Sequence, residues 1–88
     1  MRLGKVVGTV VATRKDPRLS GLKLLIVATL SPQMKPDGAY EVAVDTVSAG
    51  FKETVLICTG SSARMTDRTE KAPVDATIVG IVDAVNLD

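Results

Sequence analysis

Leu3-Gly4-Lys5-Val6-Val7-Gly8-Thr9-Val10-Val11-Ala12-Thr13 is the stretch on which the fold turns. Six of these eleven residues are Val or Thr, whose branched Cβ resists the helix and suits a pleated strand. The stretch therefore predicts a β-strand. Gly8 lies inside it, and a strand-interior glycine predicts a bend or bulge, the device by which a short sheet curls closed.

Working outward, Pro and Gly cut the remaining chain into short segments. Arg14 to Gly21 reads as a polar loop around Asp16-Pro17. Leu22 to Leu30 reads as the second strand, with Leu22, Leu24, Ile26, Ala28 and Leu30 on one face and Leu25 and Val27 on the other. Both faces are partly apolar. One fills a barrel, and the other needs a second cover such as a neighbouring subunit. Ser31 to Gly38, with Pro32, Pro36 and Asp37-Gly38, reads as a loop and turn. A third strand spans Ala39 to Asp45, and Thr46 to Lys52 breaks the pattern. A fourth spans Glu53 to Thr59, with Val55, Ile57 and Thr59 facing away from Leu56 and Cys58. Ser61 or Ser62 then N-caps a short helical turn. Ala76 to Leu87 is dense in Val and Ile and reads as a fifth strand. A helix starting at Asp75 is the alternative, because Ile78, Val82 and Val85 fit a helical stripe; Gly80 and the β-branching oppose it. Five short strands and one helical turn over residues 1–88 predict a single all-β domain, a small five-stranded OB-like barrel. The strand count also fits an SH3-like barrel.

Composition bounds the function. The 88 residues are 45% hydrophobic, yet only Tyr40 and Phe51 are aromatic. A chain this short buries a limited share of its surface, so some of this aliphatic surface stays uncovered in a monomer, which points to an oligomer. Eleven basic and ten acidic residues give a net charge of +1, too little for a strong field toward nucleic acid or an anionic membrane. Arg2, Lys5, Arg14, Lys15, Arg18 and Lys23 sit early, and Asp75, Asp83 and Asp88 sit late. The asymmetry reads as solvated surface, with complementary ends meeting across a subunit contact as the alternative. The lone Cys58 excludes an intrachain disulfide and, with no histidine, suggests a reduced, cytosolic setting. No signal-peptide pattern opens the chain, and the apolar run Leu24 to Ala28 is far shorter than the roughly 20 residues of a membrane span.

Catalytic chemistry lacks its usual carriers. Without histidine the commonest general base and metal ligand is missing. Cys58, between Ile57 and Thr59 on a strand, reads as a buried structural thiol. Asp16, Asp37 and Asp45 are scattered and set no metal-ligand spacing. Gly60-Ser61-Ser62-Ala63-Arg64 alone resembles a site, because exposed backbone N–H groups with Arg64 nearby hold anions. It has no base for either serine and no P-loop pattern, and a capped turn explains it equally. Neither an enzyme nor a cofactor is expected. For an OB-like barrel the rival is a binding module for single-stranded nucleic acid, which needs aromatic platforms and a basic groove. Two aromatics and near-neutral charge speak against it, and Tyr40 and Phe51 are expected to fill core.

The order of these segments resembles the vertex proteins of bacterial microcompartments, the EutN/CcmL family, from Leu3 to about Asn86. The opening strand with Lys15 after it, Gly21-Leu22-Lys23-Leu24-Leu25, Asp45-Thr46-Val47-Ser48-Ala49-Gly50, Glu53-Thr54-Val55-Leu56, Gly60-Ser61-Ser62-Ala63-Arg64 and the block from Pro73 to Asp83 follow one another at the family's intervals. The resemblance implies an OB-like barrel that assembles head-to-tail into a cyclic pentamer, a heterologous contact that closes on itself. A shell tiled by hexagonal units is flat, and pentagonal units close it at its corners. The implied partners are further copies and hexagonal shell proteins, with no nucleic acid and no membrane. The implied location is the shell of a cytoplasmic microcompartment.

Site expectations follow from the matched positions. Asp45, Val47, Ala49, Gly50 and Glu53 are expected at the subunit contact. Ser61, Ser62, Ala63 and Arg64 are expected near the five-fold axis, and Pro73, Val74 and Asp75 order the approach to the last strand. This chain departs from the family pattern at Ser48 and Lys52, where glycine is usual. If those glycines serve positive-φ positions, Ser48 and Lys52 carry strain.

Overall fold

The structure, a computed structural model, describes residues 1–88. Five strands follow in order: β1 (Arg2–Val10), β2 (Lys23–Leu30), β3 (Pro36–Asp45), β4 (Thr54–Thr59) and β5 (Ala76–Ile81). They close into a barrel in the order β1-β2-β3-β5-β4, with β4 returning to β1. Every junction is antiparallel except β3 with β5, which is parallel. This strand order is that of the Greek-key barrel of the OB type, so the SH3-like alternative falls.

The opening segment behaves as its residues dictate. The β1–β2 register slips between Val6 and Gly8, placing a bulge at the predicted point, and the strand stops at Val10. Gly4 is the tightest point of the wall: a Cβ there would lie 2.3 Å from Val27 Cγ1 and 2.8 Å from Ile57 Cδ1. Leu25 and Val27 of β2 join Val6, Ala43, Ala49, Val55, Ile57, Ala76 and Ile78 in the barrel core. The opposite face of β2 is covered by the chain itself only in part, with Leu22, Leu24, Ile26 and Leu30 left half-buried. Val44, Ala72 and Val74 form a second cluster against which Leu19, Leu22 and Leu24 pack. Cys58 is buried.

Several sequence expectations need correction. Asp37-Gly38 is not the turn; it lies inside β3. The chain reverses at Ser31–Lys35, where the Ser31 N–H donates to Lys35 O and the Met34 N–H to Ser31 O, both at 2.8 Å, with Met34 at φ 67°. Gly38 at φ 89° sits where the β2–β3 register slips. An Asp-Gly pair suits a bulge as well as a turn, because both need positive φ. The Asp37 carboxylate fixes the bulge by accepting the Thr29 hydroxyl and the Ala39 N–H. β5 ends at Ile81 rather than Leu87, and the helix alternative fails. Two 3-10 turns form instead of one, Pro17–Leu19 and Gly60–Arg64. The second has Thr59 at its N-cap with no side-chain cap bond, so neither Ser61 nor Ser62 plays that part. Finally, Tyr40 and Phe51 do not fill core: they are 66% and 65% exposed.

Candidate functional site

Three predicted groups of residues are placed by the barrel's ends. The first is the turn from Asp45 to Glu53, between β3 and β4. Asp45 is 4% exposed, and its carboxylate accepts the backbone N–H of Val47 at 3.0 Å and of Ala49 at 2.9 Å. Ala49 is thereby pulled into the core beside half-buried Val47. At the other end the Glu53 carboxylate accepts the Gly50 N–H, and the Glu53 N–H returns to Gly50 O at 3.1 Å. The Lys52 N–H donates to Val6 O at 2.8 Å and the Val6 N–H to Glu53 O at 3.0 Å, tying the turn to β1. All five expected residues therefore belong to one braced unit. Ser48 and Lys52 sit at φ 59° and 71°, the left-handed region that glycine occupies without cost. The two departures from the family pattern fall on positive-φ positions.

The second and third groups form one body. Gly60 N–H donates to Asp75 O at 2.8 Å, and Arg64 Nη1 donates to Val74 O at 3.0 Å. The Ala63 carbonyl, wholly buried, accepts the hydroxyls of Thr69 at 2.8 Å and Thr77 at 2.7 Å. Ser61-Ser62-Ala63-Arg64 and Pro73-Val74-Asp75 are thus clamped together at the start of β5. Ser61 and Ser62 are exposed. Sequence reasoning missed Thr69 and Thr77; the spacing of Thr66 and Thr69, whose hydroxyls lie 2.6 Å apart, was the available signal.

Only Val44↔Thr77 and Asp45↔Ile78 pair β3 with β5. The wall splits beyond them, and a groove of about 510 Å³ opens between Glu41 and Val42 on one side and Thr59, Gly60, Asp75 and Ala76 on the other. Arg2 crosses its end, with Nη1 2.7 Å from Glu41 Oε1. Glu41 Oε2 is buried and has no hydrogen-bond partner. An apolar trough of about 220 Å³ shares Val42, Asp75 and Ala76 with this groove and continues over Leu19, Leu24, Val44, Pro73 and Val74. No group of three or more His, Cys, Asp or Glu converges anywhere on the chain.

The fold and its polar groups thus define a class of protein: a small OB-type barrel whose carboxylates and hydroxyls brace turns. Residues 1–83 match the family described as "Ethanolamine utilisation protein EutN/carboxysome". The chain is 53% identical over 85 residues to the bacterial microcompartment shell vertex protein GrpN of Rhodospirillum rubrum, covering 97% of this chain and 96% of that one. It is 49% identical to the carboxysome shell vertex protein CcmL of a Synechocystis strain, covering 99% and 87%. The solved structure described as the GrpN pentameric microcompartment shell protein from Rhodospirillum rubrum superposes with a TM-score of 0.89 at 51% identity, over 100% of this chain and 99% of that one. This chain belongs to the EutN/CcmL family of microcompartment shell vertex proteins. Its role is structural rather than enzymatic, and its place is the shell of a microcompartment within the cytoplasm.

Proposed function

We propose that this chain assembles head-to-tail into a ring of five that caps the vertices of a polyhedral shell, abutting hexagonal shell proteins. The observation that carries this reading is the superposition over the whole chain on a relative described as pentameric. The exposed Tyr40, Val42 and Phe51 agree with it, since a lone barrel of this size leaves them uncovered. The braced turn is proposed to meet the next subunit. Asp45 and Ala49 act from beneath by holding it, while Val47, Gly50 and Glu53 lie nearer its surface. Ser61, Ser62, Ala63 and Arg64 are proposed near the five-fold axis. Pro73, Val74 and Asp75 anchor that segment to β5.

The test is the native mass of the purified protein by light scattering or native mass spectrometry. A mass of five times 9.2 kDa is expected, and a stable monomer overturns the reading. Arg64→Glu is expected to impair the ring more than the fold, and an intact ring with that substitution removes Arg64 from the axis.

One observation favours a second reading. Both aromatics are exposed on an OB-type barrel, as in binders of single-stranded nucleic acid. The near-neutral charge opposes it, and neither nucleic acid nor membrane is proposed as a partner. Titration with mixed-sequence single-stranded DNA at low salt is expected to give no micromolar, salt-sensitive binding; finding such binding would restore this reading.

A further inference from the structure

We propose that the apolar trough beside β3 is the socket for the Phe51–Lys52 tip of the adjacent copy. This rests on the ring reading above. A head-to-tail contact needs two different patches on one subunit that fit each other. The chain offers a raised patch in Phe51, its only phenylalanine, which is 65% exposed at the tip of the braced turn. It offers a hollow in the trough, floored by buried Val44 and Val74 and walled by Leu19, Leu24 and Val42. The two share no residue.

Size and charge select this occupant. A trough of about 220 Å³ accepts one aromatic ring, and a buried Phe is the kind of anchor on which interfaces depend. Lys52 follows Phe51, with Nζ 5.5 Å from the ring centroid, and makes no ion pair within its own chain. The trough ends at exposed Asp75 and opens into the groove where Arg2 already pairs with Glu41, which leaves Asp75 as the free carboxylate. An apolar ring followed by a cation therefore meets an apolar hollow followed by the Asp75 carboxylate. The segment Val82–Asp88 also carries apolar side chains, but it brings Asp83 and Asp88 to a trough that ends at Asp75, and like charges oppose that docking. The turn is well built to present the tip. Asp45 and Glu53 fix its two ends, and the Lys52 N–H is held by Val6 O.

The experiment is sedimentation velocity over a range of protomer concentrations, with circular dichroism as the check on folding. Phe51→Ser, Lys52→Glu and Asp75→Lys are each expected to stay folded, because all three side chains are exposed. Each is expected to raise the concentration at which rings dissociate by roughly tenfold or more. Combining Lys52→Glu with Asp75→Lys is expected to restore assembly relative to either single variant. Phe51→Ser and Lys52→Glu rings as stable as the wild type overturn the socket while leaving the ring reading intact. A failure of the charge exchange to rescue overturns the pairing of Lys52 with Asp75. A wild-type protein that forms no ring overturns both.

Discussion

The Asp45 carboxylate, buried at the end of β3, holds the backbone N–H of Ala49 at 2.9 Å through Oδ2 while Oδ1 holds Val47 at 3.0 Å. One side chain thus converts four residues of irregular chain into a fixed turn. Asp45→Ala removes two hydrogen bonds to a charged group and strands a buried N–H at Ala49. The expected loss is about 3 kcal/mol. Asp45→Asn keeps one acceptor but turns an amide donor toward the second N–H, so it is expected to lose about 1–2 kcal/mol. Urea denaturation at fixed protomer concentration measures both, since assembly itself adds stability. No change in the Ala variant would mean that the turn is held by other bonds.

Gly4 is buried where β1 passes β2 and β4. Its missing Cβ is what lets Val27 and Ile57 close over it. Gly4→Ala places a methyl group inside both side chains and against Ala28 O, 3.2 Å away. It is expected to destabilise the barrel by about 1–3 kcal/mol, the usual cost of overpacking. Gly8→Ala meets only Ile26, at 3.5 Å or more, and is expected to cost less. Thermal unfolding of the pair decides whether the effect belongs to the site or to glycine replacement as such.

Ser48 and Lys52 hold positive φ with a side chain attached. Ser48→Gly relieves that strain, partly offset by the greater freedom of glycine in the unfolded chain. A net gain of about 0.5–1 kcal/mol is expected. Ser48→Val is expected to lose stability, since a β-branched residue suits this region worst. Equal melting temperatures for the Gly and Val variants would contradict the strain.

Asp16 caps the first 3-10 turn. Its Oδ1 accepts the Arg18 side chain and backbone N–H, each at 2.9 Å, and Oδ2 accepts Arg18 Nη2 at 2.7 Å. The Arg18 side-chain hydrogen bonds, with its backbone N–H next, hold the Asp16 pKa at about 2, below the ordinary 3.8. Because the folded value is the lower one, this contribution is fully present above pH 3.8. It disappears as pH falls through about 2. A carboxyl-carbon NMR titration is expected to place the Asp16 midpoint near that value and to move it upward in Arg18→Ala. An ordinary midpoint in the wild type would show the pair to be open in solution.

The strands were legible because each carries its own evidence. Val6, Leu25, Val27, Val55 and Ile57 reach the core through period-two alternation, and Gly8 marks the bulge that bends β1. Asp37-Gly38 misleads because one dipeptide serves two local structures, and the bulge is defined by pairing with β2 and the Asp37 bond to the Thr29 hydroxyl, both across the sheet. Residue type alone points Tyr40 and Phe51 to the core. The pleat sends Tyr40 outward, and Phe51 lies in a turn whose inward position is taken by Ala49. The clamp over Gly60–Arg64 was beyond sequence reasoning, since it joins Ala63 to Thr77, fourteen positions along the chain. Its recognisable motif marked the place without revealing the bonds.

The strand order has a consequence for how the protein is made. β3 and β4 are neighbours in sequence but never pair; each completes the wall only through β5 (Ala76–Ile81). While the chain is still emerging from the ribosome, both therefore expose strand edges until those six residues appear. Closure depends on contacts far apart in sequence, which makes it slow relative to the β2–β3 hairpin. The trough shares Val44 and Ala76 between β3 and β5, so it does not exist before the barrel shuts. A nascent chain thus lacks the proposed socket until its own fold is complete, so assembly through that contact follows folding.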